Sequence, residues 1–137
     1  MEINKAYINN LAYKIVGAAI EVHKELGPGL LEDIYKDCVV LELRSAGVFV
    51  EVEKRIDIFY KGVQIERHYR QDIIVENLVI AELKSQDGIL PIHKAQLLTY
   101  MKLNHIPKGL LINFNVLNLV KEGLIPMVNE IFKNYPE

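Results

Sequence analysis

The sequence is short of cysteine, carries no surplus of either charge and contains no long apolar run, and each shortage removes a class of protein. Its single cysteine, Cys38, cannot close an intramolecular disulfide, and a four-cysteine zinc or iron–sulfur site cannot be built within one chain. A reducing compartment fits best. Sixteen basic residues stand against eighteen acidic ones, a formal charge of −2, so the basic footprint of a protein that grips long stretches of duplex is missing. An acidic metal-binding cluster would itself lower the charge, so metal-assisted chemistry stays open. No basic segment followed by an apolar stretch opens the chain, and no apolar run approaches the ~20 residues of a spanning helix. The expectation is a soluble, cytoplasmic protein with no membrane partner. Repeats, low-complexity tracts and linkers are also lacking.

What is present is a chain of 137 residues, half of them apolar, which is the usual size of one domain with a continuous core, here spanning 1–137. Ile8, Leu11, Ile15, Ala19 and Val22 recur at three- and four-residue steps and predict a helix from about Asn4 to Leu26, stopped by Gly27-Pro28-Gly29. A second helix is predicted from about Leu30 to Ala46, with Ile34, Cys38 and Leu41 inward and Gly47 as its left-handed C-terminal residue. The chain thus opens on a helical hairpin.

From Val48 β-branched and aromatic residues dominate. Val48 to Tyr60 and Val63 to Val75 read as antiparallel strands joined at Lys61-Gly62, and Glu76-Asn77 turns into a buried strand, Leu78 to Lys84. After a loop, Pro91 opens a helix to about Leu103, with Leu97, Leu98 and Met101 as anchors. Gly109 to Phe114 then returns to the sheet as a parallel crossover. Pro126 argues against a central strand from Gly123 to Val128, leaving an edge strand or the start of a last short helix that ends near Lys133. The fold class is α/β.

Alternate side chains of a strand share a face, so Glu82 and Lys84 point the same way from one buried strand. A three-residue loop, Glu76 to Leu78, puts Asp72 directly opposite Glu82, whereas a two-residue loop would pair Asp72 with Ala81 and separate the carboxylates by face. The longer loop or a bulge is expected. Two facing carboxylates repel, and a hard cation such as Mg2+, which takes oxygen ligands, resolves the repulsion. A neighbouring ammonium can then orient water and offset charge growing on a phosphate. Taken without context, the same residues also fit a structural ion pair at a sheet edge.

Asp72 followed by Glu82-Leu83-Lys84 resembles the PD-(D/E)XK signature, and Gly29-Leu30-Leu31-Glu32-Asp33-Ile34-Tyr35 is similar to the signature of the GxxExxY protein family. The likeness covers nearly the whole chain, including Tyr60-Lys61-Gly62 and the Gly109 to Phe114 strand. It implies a restriction-endonuclease-like core, a mixed β-sheet flanked by helices. It also implies a metal site of Glu32, Asp72 and Glu82 beside Lys84, holding Mg2+ with Mn2+ as substitute. By position alone Glu32 is equally a helix N-terminal acid favoured by the dipole, and Tyr35, one turn on, reads as a packing residue with its hydroxyl satisfied at the rim of the site, lifted above that only by the family resemblance.

Gln96 and Tyr100, at i, i+4 on the helix after the acid-bearing strand, resemble the QxxxY element of RecB-like nucleases, which implies that they position substrate beside Tyr35. His93 reads as a surface or hydrogen-bonded histidine rather than a ligand, because magnesium prefers oxygen and no second histidine shares its face. Lys54, Arg55, Arg67, Arg70 and Lys94 are candidates for the border of a phosphate cleft or plain surface charges. Cys38 reads as a small core residue. Gln71 precedes Asp72 where the family favours alanine or proline, and Pro126 falls where it continues a strand.

The reading is a Mg2+-dependent phosphodiesterase acting on DNA or RNA. Its rivals are a non-catalytic nucleic-acid- or protein-binding module on the same fold, and hydrolysis of another phosphate ester. Association into a homo-oligomer stays open.

Overall fold

The computed structural model describes residues 2–68 and 72–137 and, within them, all side chains except those at 55–57, 67, 68 and 72. The expectations for Arg70 and Gln71 therefore lie outside the described residues, as do those for the side chains of Arg55, Arg67 and Asp72. Helix α1 (Lys5–Leu26) starts at Asn4, whose side chain accepts the Tyr7 N–H at 2.9 Å. The predicted stripe from Ile8 to Val22 is buried along its length. Helix α2 (Glu32–Ser45) ends as expected at Gly47, with φ 79°. The Gly47 N–H donates to Arg44 O at 3.0 Å and the Val48 N–H to Leu43 O at 3.0 Å, a Schellman closure that the left-handed glycine permits.

The inward face of α2 differs from the expectation. Ile34 and Leu41 are exposed and Cys38 is half-buried, while Tyr35, Val39, Val40 and Leu43 enter the core. Two apolar stripes run side by side on this helix, and the one carrying Tyr35 finds partners for both ring and hydroxyl.

The strands are β1 (Val50–Val52), β2 (Arg55–Tyr60), β3 (Val63–His68), β4 (Asp72–Val75), β5 (Val79–Lys84), β6 (Lys108–Asn113) and β7 (Leu124–Val128). Five of them form a mixed sheet in the order β1-β4-β5-β6-β7, and β2 with β3 forms a separate antiparallel hairpin. Each of the two long strands expected between Val48 and Val75 is thus two strands. Glu53, with φ 50°, breaks the first immediately after β1. The β4–β5 turn has the longer form, since Val75 pairs with Val79, and Asp72 accordingly pairs with Glu82. Glu76 and Asn77 take φ of 51° and 55° there, and the Tyr7 hydroxyl donates to the Glu76 carboxylate.

Helix α3 (Pro91–Leu103) carries the crossover, and β6 returns parallel to β5. Burial alternates along β5 and divides the core in two. Val79, Ala81 and Leu83 pack toward α1 and α2, whereas Ile80 packs with Leu97, Met101, Ile106 and Leu111 beneath α3. Leu98, expected as a third anchor of α3, is 42% exposed because it lies one step outside the Leu97–Met101 row. Gly109 lets this helix approach: a Cβ there would lie 2.6 Å from the Met101 sulfur. Pro126 sits on edge strand β7 opposite Leu110, so the edge-strand alternative holds for this segment, and the short helix α4 (Glu130–Lys133) begins only after it. A π-helical turn, Leu119–Gly123, precedes β7 without a sequence signal.

Candidate active site

The alternation that sends Ala81 and Leu83 toward α1 and α2 sends Glu82 and Lys84 to the α3 side. Glu82 is 1% exposed on the central strand, and Lys84 Nζ lies 3.2 Å from its Oε1 with the lysine side chain 16% exposed. An ionised carboxylate taken out of water needs such a partner. Position 72 is directly opposite Glu82, and opposed positions of an antiparallel pair share a face. Strand pairing therefore sets position 72 across from Glu82, while Glu82 and Lys84 stand together on the α3 face.

Glu32 is the first residue of α2, which packs on the other face of the sheet. Its helix start is nevertheless tied to the Lys84 end of β5. The Ser85 hydroxyl donates to Leu30 O, and the Phe114 N–H donates to Lys84 O at 2.9 Å. Among the described residues no three His, Cys, Asp or Glu side chains gather closely enough to hold a metal, so Glu32 belongs to no described trio.

Tyr35 does not reach a substrate surface. It is fully buried, its ring stacked 4.3 Å from Phe114 at 9°, and its hydroxyl donates to Gly27 O at 2.6 Å while accepting the Leu30 N–H at 3.1 Å. It fixes the Gly27-to-Leu30 turn, and through it the entry of α2, against the end of β6. The expected contact with substrate is replaced by a role in holding backbone, because both hydrogen-bonding functions of the hydroxyl are used internally.

Gln96 is exposed and Tyr100 half-buried on α3, and both line a groove of about 240 Å³ whose opposite wall is Ile58 of β2. They share one face of the helix as expected. His93 does not line that groove: its Nδ1 accepts the Leu90 N–H at 3.0 Å, which satisfies a donor at the start of α3. Lys54 is tied to Asn77 Oδ1 at 2.6 Å, at the opposite end of β5 from Lys84, and Lys94 is exposed on α3.

Two residues near the site escaped sequence reasoning. Asn113, paired with Lys84 across the parallel ladder, is 2% exposed. Its Oδ1 accepts the Gln86 and Asn115 N–H groups at 3.2 Å each, and its Nδ2 donates to Gln86 O at 2.9 Å, so one amide pins the loop that leaves β5. A polar residue closing the apolar run from Gly109 was the available signal. Lys36, one turn after Glu32, is nearly buried and pairs with Glu53 at 3.4 Å and Asp33 at 3.9 Å. No periodicity marks it, because it sits among exposed acids.

A sequence profile of the PD-(D/E)XK nuclease superfamily matches residues 9–125, and the chain belongs to that superfamily. Its mixed five-stranded sheet between helices is the restriction-endonuclease-like fold. No curated protein and no solved structure matches the chain. Among the described residues no helix is long and apolar enough to cross a membrane.

Proposed function

We propose that the chain, working as one domain, is a divalent-metal-dependent phosphodiesterase that hydrolyses DNA or RNA, using Mg2+ with Mn2+ as substitute. The observation that carries this reading is the buried Glu82 with the Lys84 ammonium at 3.2 Å, on a central strand whose register puts Asp72 opposite. A set of carboxylate oxygens without thiolate or imidazole suits a hard cation. Glu82 and Asp72 would hold the ion, and Glu32 would join them directly or through water. When bound, the ion supplies Lewis-acid polarisation of a phosphoryl oxygen.

The remaining work belongs to the chain's own side chains. Lys84 has no lone pair to offer while protonated, so it stands beside the ion rather than on it, orients the attacking water and offsets charge developing on the phosphate. Glu82 keeps that ammonium in place from a strand that cannot shift without unpacking the sheet. Gln96 and Tyr100 flank the approach from α3. A cytoplasmic, reducing setting accords with the unpaired thiol of Cys38.

The test is cleavage of labelled single- and double-stranded DNA and RNA with Mg2+ or Mn2+, together with calorimetric titration of Mn2+ into wild type and an Asp72→Asn, Glu82→Gln double variant. Metal-dependent cleavage by the wild type and loss of both cleavage and Mn2+ binding in the variant are expected. Equal Mn2+ binding by the two proteins would end the reading.

A further inference from the structure

Among the described residues β2 and β3 pair only with each other, and they stand outside the five-stranded sheet. A lone two-stranded hairpin is marginal in water, and this one leans on α3 through Ile58, beside Gln96 and Tyr100. Its tip is a two-residue turn, Lys61-Gly62, with φ of 49° and 80° as a tight hairpin of this twist requires. There the chain displays aromatic surface instead of hiding it: Phe59 is 69% exposed and Tyr60 61%. Lys61 Nζ stands 5.4 Å from the centroid of the Tyr60 ring. Tyr60 shares a hairpin face with Ile58, which lines the groove, while Phe59 faces the other way. Neither ring is needed to fill either core cluster.

We propose that this tip is a stacking ledge for unpaired bases, and that the substrate is therefore a single-stranded nucleic acid or a single-stranded segment of one. The inference rests on the phosphodiesterase reading, and it narrows the substrate. A net charge of −2 leaves little affinity to be gained from neutralising phosphates. Stacking on aromatic rings is the other general source of affinity for nucleic acid, and it operates only where bases are not already stacked in a duplex. The ledge supplies the two groups such binding uses, an aromatic face for a base and, at Lys61, a cation for the adjoining phosphate. It also leans on the helix that covers the face to which Glu82 and Lys84 point.

The experiment measures fluorescence anisotropy of a short labelled DNA strand, its RNA counterpart and the matching duplex in EDTA, so that no strand is cut. Wild type is compared with a Phe59→Ala, Tyr60→Ala double variant and with Lys61→Met, each checked for native circular dichroism. The double variant is expected to bind single strands about ten-fold or more weakly, with duplex binding changed by less than about two-fold. Lys61→Met should lower the salt slope by about one phosphate equivalent. Wild-type affinity for single strands in the folded double variant overturns the ledge, and if wild type still cleaves with metal, the phosphodiesterase reading survives that failure. A wild type that binds no single strand overturns it too, whether or not duplex is cleaved. So does a concentration-dependent dimer, seen in sedimentation, that the double variant abolishes: the tip would then be a face between copies of the chain.

Discussion

Lys84 separates chemistry from architecture at the scale of one residue. Its ammonium at 3.2 Å from Glu82 suits both a structural ion pair and a catalytic cation. Lys84→Met keeps most of the stem and deletes the charge, so folding and Mn2+ affinity should survive, the latter rising because a competing cation has gone. Cleavage should fall by about 10²–10³, the size of losing one preorganised charge at a developing oxyanion. The comparison to make is cleavage rate against Mn2+ affinity on the same preparation, and an unchanged rate would reduce Lys84 to an ion-pair partner. Glu82 and Lys84 were legible as candidates in the sequence because charges in an apolar strand stand out by spacing. Tyr35 was read in part: its place on the Glu32 side of α2 was visible, but whether its hydroxyl met substrate or backbone depended on a turn eight residues earlier. Asn113 and Lys36 were not legible, since a single buried polar group acquires meaning only from its partner.

At the scale of elements, the register between β4 and β5 is what makes the two acid positions face each other, and it is set by the turn Glu76 to Leu78. That turn is anchored from outside the sheet by the Tyr7 hydroxyl, whose pKa is raised above its ordinary value of 10.0 chiefly by donating to Glu76. A raised pKa in the folded state means that the fold favours the proton-bearing phenol. Its stabilisation is fully present below the unfolded-state pKa and is lost as pH climbs through the higher folded-state pKa. Tyr7→Phe should therefore lower Tm at neutral pH, and the gap to wild type should close above about pH 10. A gap independent of pH would mean that Tyr7 acts by packing alone. The helical hairpin, the three-residue loop and the parallel crossover were all readable, because periodicity and turn length determine them. The break after β1 was not: it depends on Glu53 entering left-handed space at φ 50°, and glutamate is not a residue that signals such a turn.

For the whole molecule, the balance of sixteen basic and eighteen acidic residues limits how the protein can hold a polyanion. Contact with nucleic acid should be short, and the logarithm of affinity should fall with the logarithm of salt as expected for on the order of 2–5 neutralised phosphates. Titration of binding from low to moderate salt checks this, and a slope implying about eight or more would contradict it.

Strand β5 has a neighbour on each edge and a core cluster on each face, and it carries Glu82 and Lys84. Mutational drift in its apolar positions is therefore curbed twice, once by stability and once by the placement of the two charged groups. The hairpin tip is under neither restraint, since Phe59 and Tyr60 there are largely exposed. Descendants of such a chain could diversify in what they grip while inheriting the same reactive strand unaltered.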